Sequence, residues 1–258
     1  MNTSKQLKEK IKRGEVTVGS WLTIPSPEIA EVMAGLDFDW LTIDLEHSVI
    51  DFSTAQAMIR AIDLTGKAPL VRVGVNDPTI IKRVMDAGAH GVIVPMVNSA
   101  AEAEAAVSAV KYSPKGTRGV GLGRAQGYGT AFEKYKGWVN EGSVVIVQIE
   151  HIQAVKNIEE ILSVEGVDGF MVGPYDLSSS LGVPGEFQHP EVLKAMDKIR
   201  SAFDKSKALP GFHVIAPDPN QVFDKIREGF RFIAYSLDTL LLAETCKAGL
   251  MKIHSFHR

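Results

Sequence analysis

Two apolar runs, 145–150 (V-I-V-Q-I-E) and 170–176 (F-M-V-G-P-Y-D), each close on one carboxylate, Glu150 and Asp176. Such a run reads as a strand covered on both faces, and a strand end is a rigid place from which to present an acid. Two oxygen donors with no thiolate nearby suit a hard divalent cation, magnesium or manganese. Asp44, Glu46 and His47 follow another apolar run, and Arg72 lies near the end of a third. A histidine three residues after an aspartate that can fix its ring and tautomer is equipped for general acid/base work. An arginine beside a dication can clamp an anionic substrate with two parallel hydrogen bonds. The stretch Gly173-Pro174-Tyr175-Asp176 turns from strand into helix, and free amides at such a turn can hold a carboxylate. Plainer readings stand beside these. Glu150 and Asp176 could be acids favoured by helix dipoles, and His47 a satisfied loop histidine.

The elements that must position these groups alternate along the chain. Strands are expected at 18–23, 40–44, 70–73, 91–95, 144–149, 169–172, 211–215 and 230–235, and helices at 53–64, 78–87, 100–110, 152–162, 190–207, 219–228 and 239–249. Asp77-Pro78, His189-Pro190 and Asp218-Pro219 place proline where a helix starts. Eight strands alternating with helices match a (β/α)8 TIM barrel in a single domain, 1–258, although an open doubly wound sheet alternates in the same way. The polar residues separate the two. Asp44, Arg72, Glu150, Asp176, His213, Ser236 and Asp238 fall almost entirely at strand carboxyl ends, where barrel enzymes keep their chemistry. The glycine-rich stretch 112–129 is expected to be a mobile cover, with Arg118 and Arg124 either solvated or reaching toward an acidic substrate.

Bulk properties exclude several classes. A net charge of -3 over 258 residues offers no electrostatic footprint for nucleic acid. No uninterrupted apolar stretch is long enough to span a membrane, and the charged N-terminal stretch lacks a secretory core, so a cytoplasmic protein is expected. The single cysteine, Cys246, falls in an apolar helical pattern and is expected to be packed. No lysine stands at a strand's carboxyl end, which argues against a Schiff-base mechanism. Segments 216–218 and 236–238 lack the glycines of a barrel phosphate site, so a small carboxylate substrate is expected.

The chain resembles the HpcH/HpaI aldolase family, the metal-dependent class II pyruvate aldolases. The resemblance is carried by I-D-L-E-H (43–47), V-R-V (71–73), V-P-M-V (94–97), K-Y-S-P-K-G-T-R-G-V-G (111–121), V-Q-I-E (147–150), V-E-G-V-D-G-F-M-V-G-P-Y-D-L-S-S-S-L-G (164–182) and S-L-D-T-L-L-L (236–242). It implies reversible cleavage of a 4-hydroxy-2-oxo acid, such as a 2-keto-3-deoxy sugar acid or 2,4-dihydroxyhept-2-enedioate, into pyruvate and an aldehyde. It further implies that Glu150 and Asp176 bind magnesium, manganese or cobalt, and that Arg72 stabilises the enolate oxygen. His47, oriented by Asp44, would handle the proton. The amides of the Gly173–Asp176 turn would receive the substrate carboxylate. Glu46 would hold a metal-bound water, and Asp86 would reach the site of a neighbouring subunit. By the same resemblance the last helix is swapped between partners in a homo-hexamer, a trimer of dimers. The apolar face Leu241, Leu242, Cys246 and Leu250 fits a swapped helix, and equally one folded onto its own barrel. Tyr175 stands where smaller residues are common, and segment 119–130 departs from the family's usual sequence. The family also contains a citrate-forming condensing enzyme, so joining an enolate to an oxo acid is an alternative, as is a non-catalytic oxo-acid-binding barrel.

Overall fold

The computed structural model describes residues 2–256. Eight parallel strands close into a barrel in sequence order: β1 (Thr17–Leu22), β2 (Trp40–Asp44), β3 (Ala68–Arg72), β4 (Gly91–Val94), β5 (Val144–Ile149), β6 (Gly169–Val172), β7 (Leu209–Val214) and β8 (Phe232–Leu237). The helices are α1 (Asn2–Lys12), α2 (Pro27–Ala34), α3 (Phe52–Leu64), α4 (Pro78–Asp86), α5 (Ala100–Val110), α6 (Phe132–Gly142), α7 (Ile152–Lys156), α8 (Ile158–Ser163), α9 (Pro174–Ser180), α10 (Pro190–Ser201), α11 (Pro219–Arg227) and α12 (Asp238–Phe256). The expected starts hold. Asp77 accepts from the amides of Thr79 and Ile80, with Pro78 in the first turn, and Asp218 caps α11 in the same way.

Inside the barrel the strands present alternate residues to an interior whose amino half is apolar. Trp40 and Phe232 stack with ring centroids 4.2 Å apart. That stack needs Gly19, where a Cβ would lie 2.0 Å from the Trp40 ring. The amino end is closed by α1, whose Leu7 and Ile11 pack with Leu70, Ile93, Ile146 and Met171. A second apolar layer, including Ile43, Val71, Val92 and Val147, lies between strands and helices. With the interior filled and its amino end plugged by α1, where Lys8 and Lys111 are tied to Ser143, the open end is the carboxyl mouth.

Several expectations are corrected. Helices α1, α2 and α6 carry no expected counterpart; α1 and α6 are so charged that their few apolar anchors, such as Leu7, Ile11 and Val139, are easily overlooked. The segment expected at 152–162 is two helices, broken at Asn157. The stretch 112–129 does not cover the mouth of its own barrel. It follows α5, which returns the chain to the amino end of the strands, and there Arg118 and Arg124 are neither solvated nor aimed at a substrate. Arg118 is buried and donates to Asp86 (2.8 Å) and Tyr135, while Arg124 pairs with Asp63 at 2.6 Å. Cys246 is exposed rather than packed. The cause is α12, which touches β1 and β8 near its start and then runs free, exposing Leu242, Leu250, Met251 and Ile253. It does not fold back along its own barrel. Among the described residues no helix is long and apolar enough to cross a membrane.

Candidate active site

Strand register builds the first half of the site. In the β2–β3 pair Asp44 stands opposite Arg72, so the last residues of two neighbouring strands meet side by side. Arg72 donates through Nε to Asp44 Oδ1 at 2.9 Å and through an Nη to Oδ2 at 2.6 Å. Its other Nη lies 3.2 Å from Glu46 Oε2, and its guanidinium sits 4.3 Å from the Trp21 ring centroid. Burial pushes Asp44 up, but the paired guanidinium and the amides of Glu46 and His47 more than offset this and hold it below the usual carboxylate range.

The same contacts correct one expectation. Asp44 does not touch the His47 ring; its lone pairs are taken by the Arg72 fork and by the two turn amides. The His47 ring instead lies beside Glu46, Nε2 to Oε2 3.8 Å, on a side chain 67% exposed at the rim. Asp44 therefore fixes the turn that carries His47, and Glu46 is the ring's charged neighbour.

The second half comes from β5 and β6. Glu150 follows β5 and is buried, with Oε1 accepting from the Met96 amide at 2.7 Å and Oε2 accepting from Gln148 Nε2 at 2.6 Å. Ile149 pairs with Val172, which sets Glu150 beside Gly173, the residue before α9. A Cβ on Gly173 would lie 2.8 Å from Glu150 Oε2, so this glycine is a space the carboxylate occupies. Asp176, in the first turn of α9, is exposed and acts electrostatically on both Glu46 and Glu150. Burial pushes Glu150 up to about 7, with Glu46 and Asp176 adding to the shift. Burial likewise raises Glu46, against the pull of Arg72.

Four acids, Asp44, Glu46, Glu150 and Asp176, thus share one mouth with a single guanidinium. This donor set fits a hard divalent cation: it is all oxygen, carries excess negative charge, and keeps Glu150 protonated well above its ordinary range for want of a counter-charge. Among the described residues no group of three or more acids, histidines or cysteines is arranged to hold an ion. A cation here would take two protein carboxylates and fill its remaining positions with water and substrate, as magnesium commonly does.

Asp86 does not join this cluster within one chain. It lies at the end of α4, toward the amino end of the strands, where Oδ1 accepts from Arg118 and Gln126. Three groups escaped sequence reasoning. Gln148 shares the inward face with Glu150 by the two-residue period of a strand, a signal that V-Q-I-E does contain. The Met96 amide is aimed by a left-handed backbone, φ 53°, which residue type does not advertise. Trp21, at the end of β1, packs on Arg72 and, at 5.4 Å between centroids, on His213 of β7.

Comparison with known proteins follows the same lines. The family model of the HpcH/HpaI aldolase/citrate lyase family matches residues 17–245. A 4-hydroxy-2-oxo-heptane-1,7-dioate aldolase of Escherichia coli is 39% identical over 243 residues, 93% of this chain and 92% of its own length. A 2-keto-3-deoxy-L-rhamnonate aldolase of Escherichia coli K12 is 38% identical over 244 residues, 93% of this chain and 90% of its own. The crystal structure of an HpcH/HpaI aldolase/citrate lyase family protein from Burkholderia cenocepacia superposes with a TM-score of 0.91 at 32% identity, covering 97% of this chain and 99% of that one.

Proposed function

The chain belongs to the HpcH/HpaI aldolase/citrate lyase family, and from that premise we propose that it is a metal-dependent aldolase, a carbon–carbon lyase that reversibly cleaves a 4-hydroxy-2-oxo acid into pyruvate and an aldehyde. The observation that carries this reading is the meeting of buried Glu150 and Asp176-bearing α9 with the Arg72–Asp44 pair at one barrel mouth. Glu150 and Asp176 would hold the divalent ion, magnesium, manganese or cobalt. When bound, the ion would supply Lewis-acid polarisation of the 2-oxo group and neutralise charge that develops on its oxygen.

This chain's own groups do the rest. The amides of Tyr175 and Asp176 precede the first bond of the helix, Leu177 N–H to the Gly173 carbonyl, and they receive the substrate carboxylate above Gly173 and Pro174. Arg72, held by Asp44 and stacked on Trp21, keeps its charge where the enolate oxygen forms. His47 at the rim takes the proton of the 4-hydroxyl; the bond between the third and fourth carbons breaks, the aldehyde leaves, and the enolate regains a proton to give pyruvate. Glu46, between Arg72 and the His47 ring, orders the water around the ion and steadies the imidazolium.

The assembly reading also rests on exposed surface. The free length of α12 fits exchange between partners, and the exposed Val120, Leu122 and Tyr128 beside Asp86 fit a contact that carries this acid to a neighbouring mouth in a homo-hexamer. A cytoplasmic site of action accords with the absence, among the described residues, of a membrane-crossing helix.

The deciding experiment follows exchange of the pyruvate methyl protons with deuterated water, with and without EDTA, and release of pyruvate from a 4-hydroxy-2-oxo acid. Both are expected to stop with EDTA and return with magnesium, manganese or cobalt. Exchange that persists in excess chelator would falsify the metal role.

A further inference from the structure

Strands β2 to β6 frame the enolate, β4 through the Met96 amide that follows it, so the aldehyde lies against the remaining wall of the mouth, β7, β8 and β1. His213 stands on that wall. Its Nε2 is 3.1 Å from the backbone carbonyl of Ser236. A carbonyl only accepts, so Nε2 carries the ring hydrogen. Burial pushes His213 down to about 4, so the ring is neutral near pH 7 and Nδ1 is a bare acceptor. Nδ1 has no hydrogen-bond partner among the described residues and is not sealed from solvent. His213 borders a cavity of about 670 Å³ that also touches Pro174 and Tyr175, at the pyruvate end. Contact with Trp21, on which Arg72 also packs, ties the imidazole to the reacting region.

The charges around this cavity decide what the lone pair is for. Its two cations, Arg200 and Lys225, are both engaged by Glu228, at 2.9 Å and 2.7 Å. Arg72 is engaged by Asp44 and Glu46. Among the described residues a carboxylate tail on the aldehyde would therefore meet no uncommitted cation in this lining, and would face a lone pair. A hydroxyl would instead donate to Nδ1, with neutral Gln188 and Gln221 further along the lining. Resting on the aldolase reading above, we propose that His213 selects the acceptor, and that this acceptor is a hydroxylated aldehyde whose hydroxyl donates to Nδ1, rather than an aldehyde ending in a carboxylate.

The test compares condensation of pyruvate with propanal, 2-hydroxypropanal and 4-oxobutanoate by the metal-loaded wild type, His213→Leu and His213→Gln. The wild type is expected to favour 2-hydroxypropanal over propanal by about tenfold in kcat/KM, mainly through KM, with 4-oxobutanoate the poorest. His213→Leu brings that ratio toward one, and His213→Gln, whose amide oxygen also accepts, keeps most of it. A second measurement needs no turnover and survives a variant that fails to fold: the nitrogen-15 resonance of Nδ1 in the wild type shifts on adding 2-hydroxypropanal and stays put with propanal. A wild type that prefers 4-oxobutanoate, a ratio indifferent to His213→Leu, or an unmoved Nδ1 resonance overturns the proposal. Proton exchange of pyruvate requires no aldehyde, so exchange without hydroxyl preference overturns this inference alone. Wild-type enzyme without exchange overturns the aldolase reading and this inference with it.

Discussion

The Met96 amide donates to Glu150 Oε1 at 2.7 Å from a backbone held at φ 53°. A left-handed conformation is costly for a non-glycine residue, of order 1–3 kcal/mol, and persists where the surroundings dictate it. Here it aims one donor at a buried carboxylate that has no cation beside it except Arg72, further off in the mouth. One amide and one glutamine do not suffice to keep that acid ionised, which is why it stays protonated up to about 7.

A pH dependence follows with a definite sign. Glu150 is raised above its ordinary 4.5 to about 7 in the fold, so the folded chain holds a proton that the unfolded chain releases. Stability of the metal-free protein is expected to be full below the ordinary value and to fall as pH rises through this window, by about 3 kcal/mol at most. The ion binds the ionised form, so its stabilising effect should grow over the same range. Thermal melts with and without manganese at pH 5.5 and 8 check this: the metal-induced rise in Tm should be several degrees larger at the higher pH. Glu150→Gln should flatten both curves.

Gly173→Ala tests the packing between β6 and α9. The backbone there is unstrained for alanine, φ -100°, but the added Cβ would meet Glu150 Oε2 at 2.8 Å. The carboxylate must move, and a displaced ligand is expected to cost at least about tenfold in metal affinity, the scale of change seen when groups orienting a ligand are lost. Titration of manganese by electron spin resonance reads this directly. An unchanged affinity would mean that Glu150 is not a ligand, or that it slides aside without loss.

Arg72 separates structure from chemistry. Arg72→Ala would leave Asp44, buried at 1% exposure, without its cation, at an expected 3–5 kcal/mol of stability, so lost activity would be uninformative. Arg72→Lys keeps a charge but not the fork that holds Asp44 through two bonds. Its urea midpoint should fall modestly, while kcat for pyruvate release should fall about 100- to 1000-fold. A lysine variant within threefold of wild type would remove Arg72 from the chemistry.

What the sequence showed follows from what a strand end can announce. Asp44, Arg72 and Glu150 each close an apolar run, so their arrival at one face was legible, and so was the barrel that gathers them. Their mutual contacts were not. The Asp44–Arg72 bonds depend on the β2–β3 register, and Asp44 Oδ1 meets His47 through the backbone amide of the turn and not through the ring. The misplaced cover has a different cause: glycine content in 112–129 says that the chain turns, and nothing about which end of the barrel it turns at. That end is set by α5, which returns the chain to the amino side. The acceptor lone pair of His213 falls on Nδ1 because the carbonyl of Ser236, a residue at φ 54°, takes the hydrogen of Nε2. No motif encodes a backbone carbonyl.

His47 carries the last test, because its exposure makes the outcome clean. Its side chain is 67% exposed and its amide, not its ring, bonds to Asp44, so His47→Ala should leave the fold and the Arg72–Asp44 pair intact. General-base catalysis by a positioned side chain contributes about 100- to 10,000-fold, and a loss of that order in kcat is expected while manganese affinity stays within about twofold. The paired variant Glu46→Gln should keep the ion but lower kcat, because the Glu46 carboxylate lies between Arg72 and the His47 ring, 3.2 Å from one and 3.8 Å from the other. If His47→Ala lost metal affinity and kcat together, the ring would belong to the ion's surroundings. If it lost neither, the base would have to come from elsewhere, and Asp86 of a neighbouring subunit would be the first group to substitute.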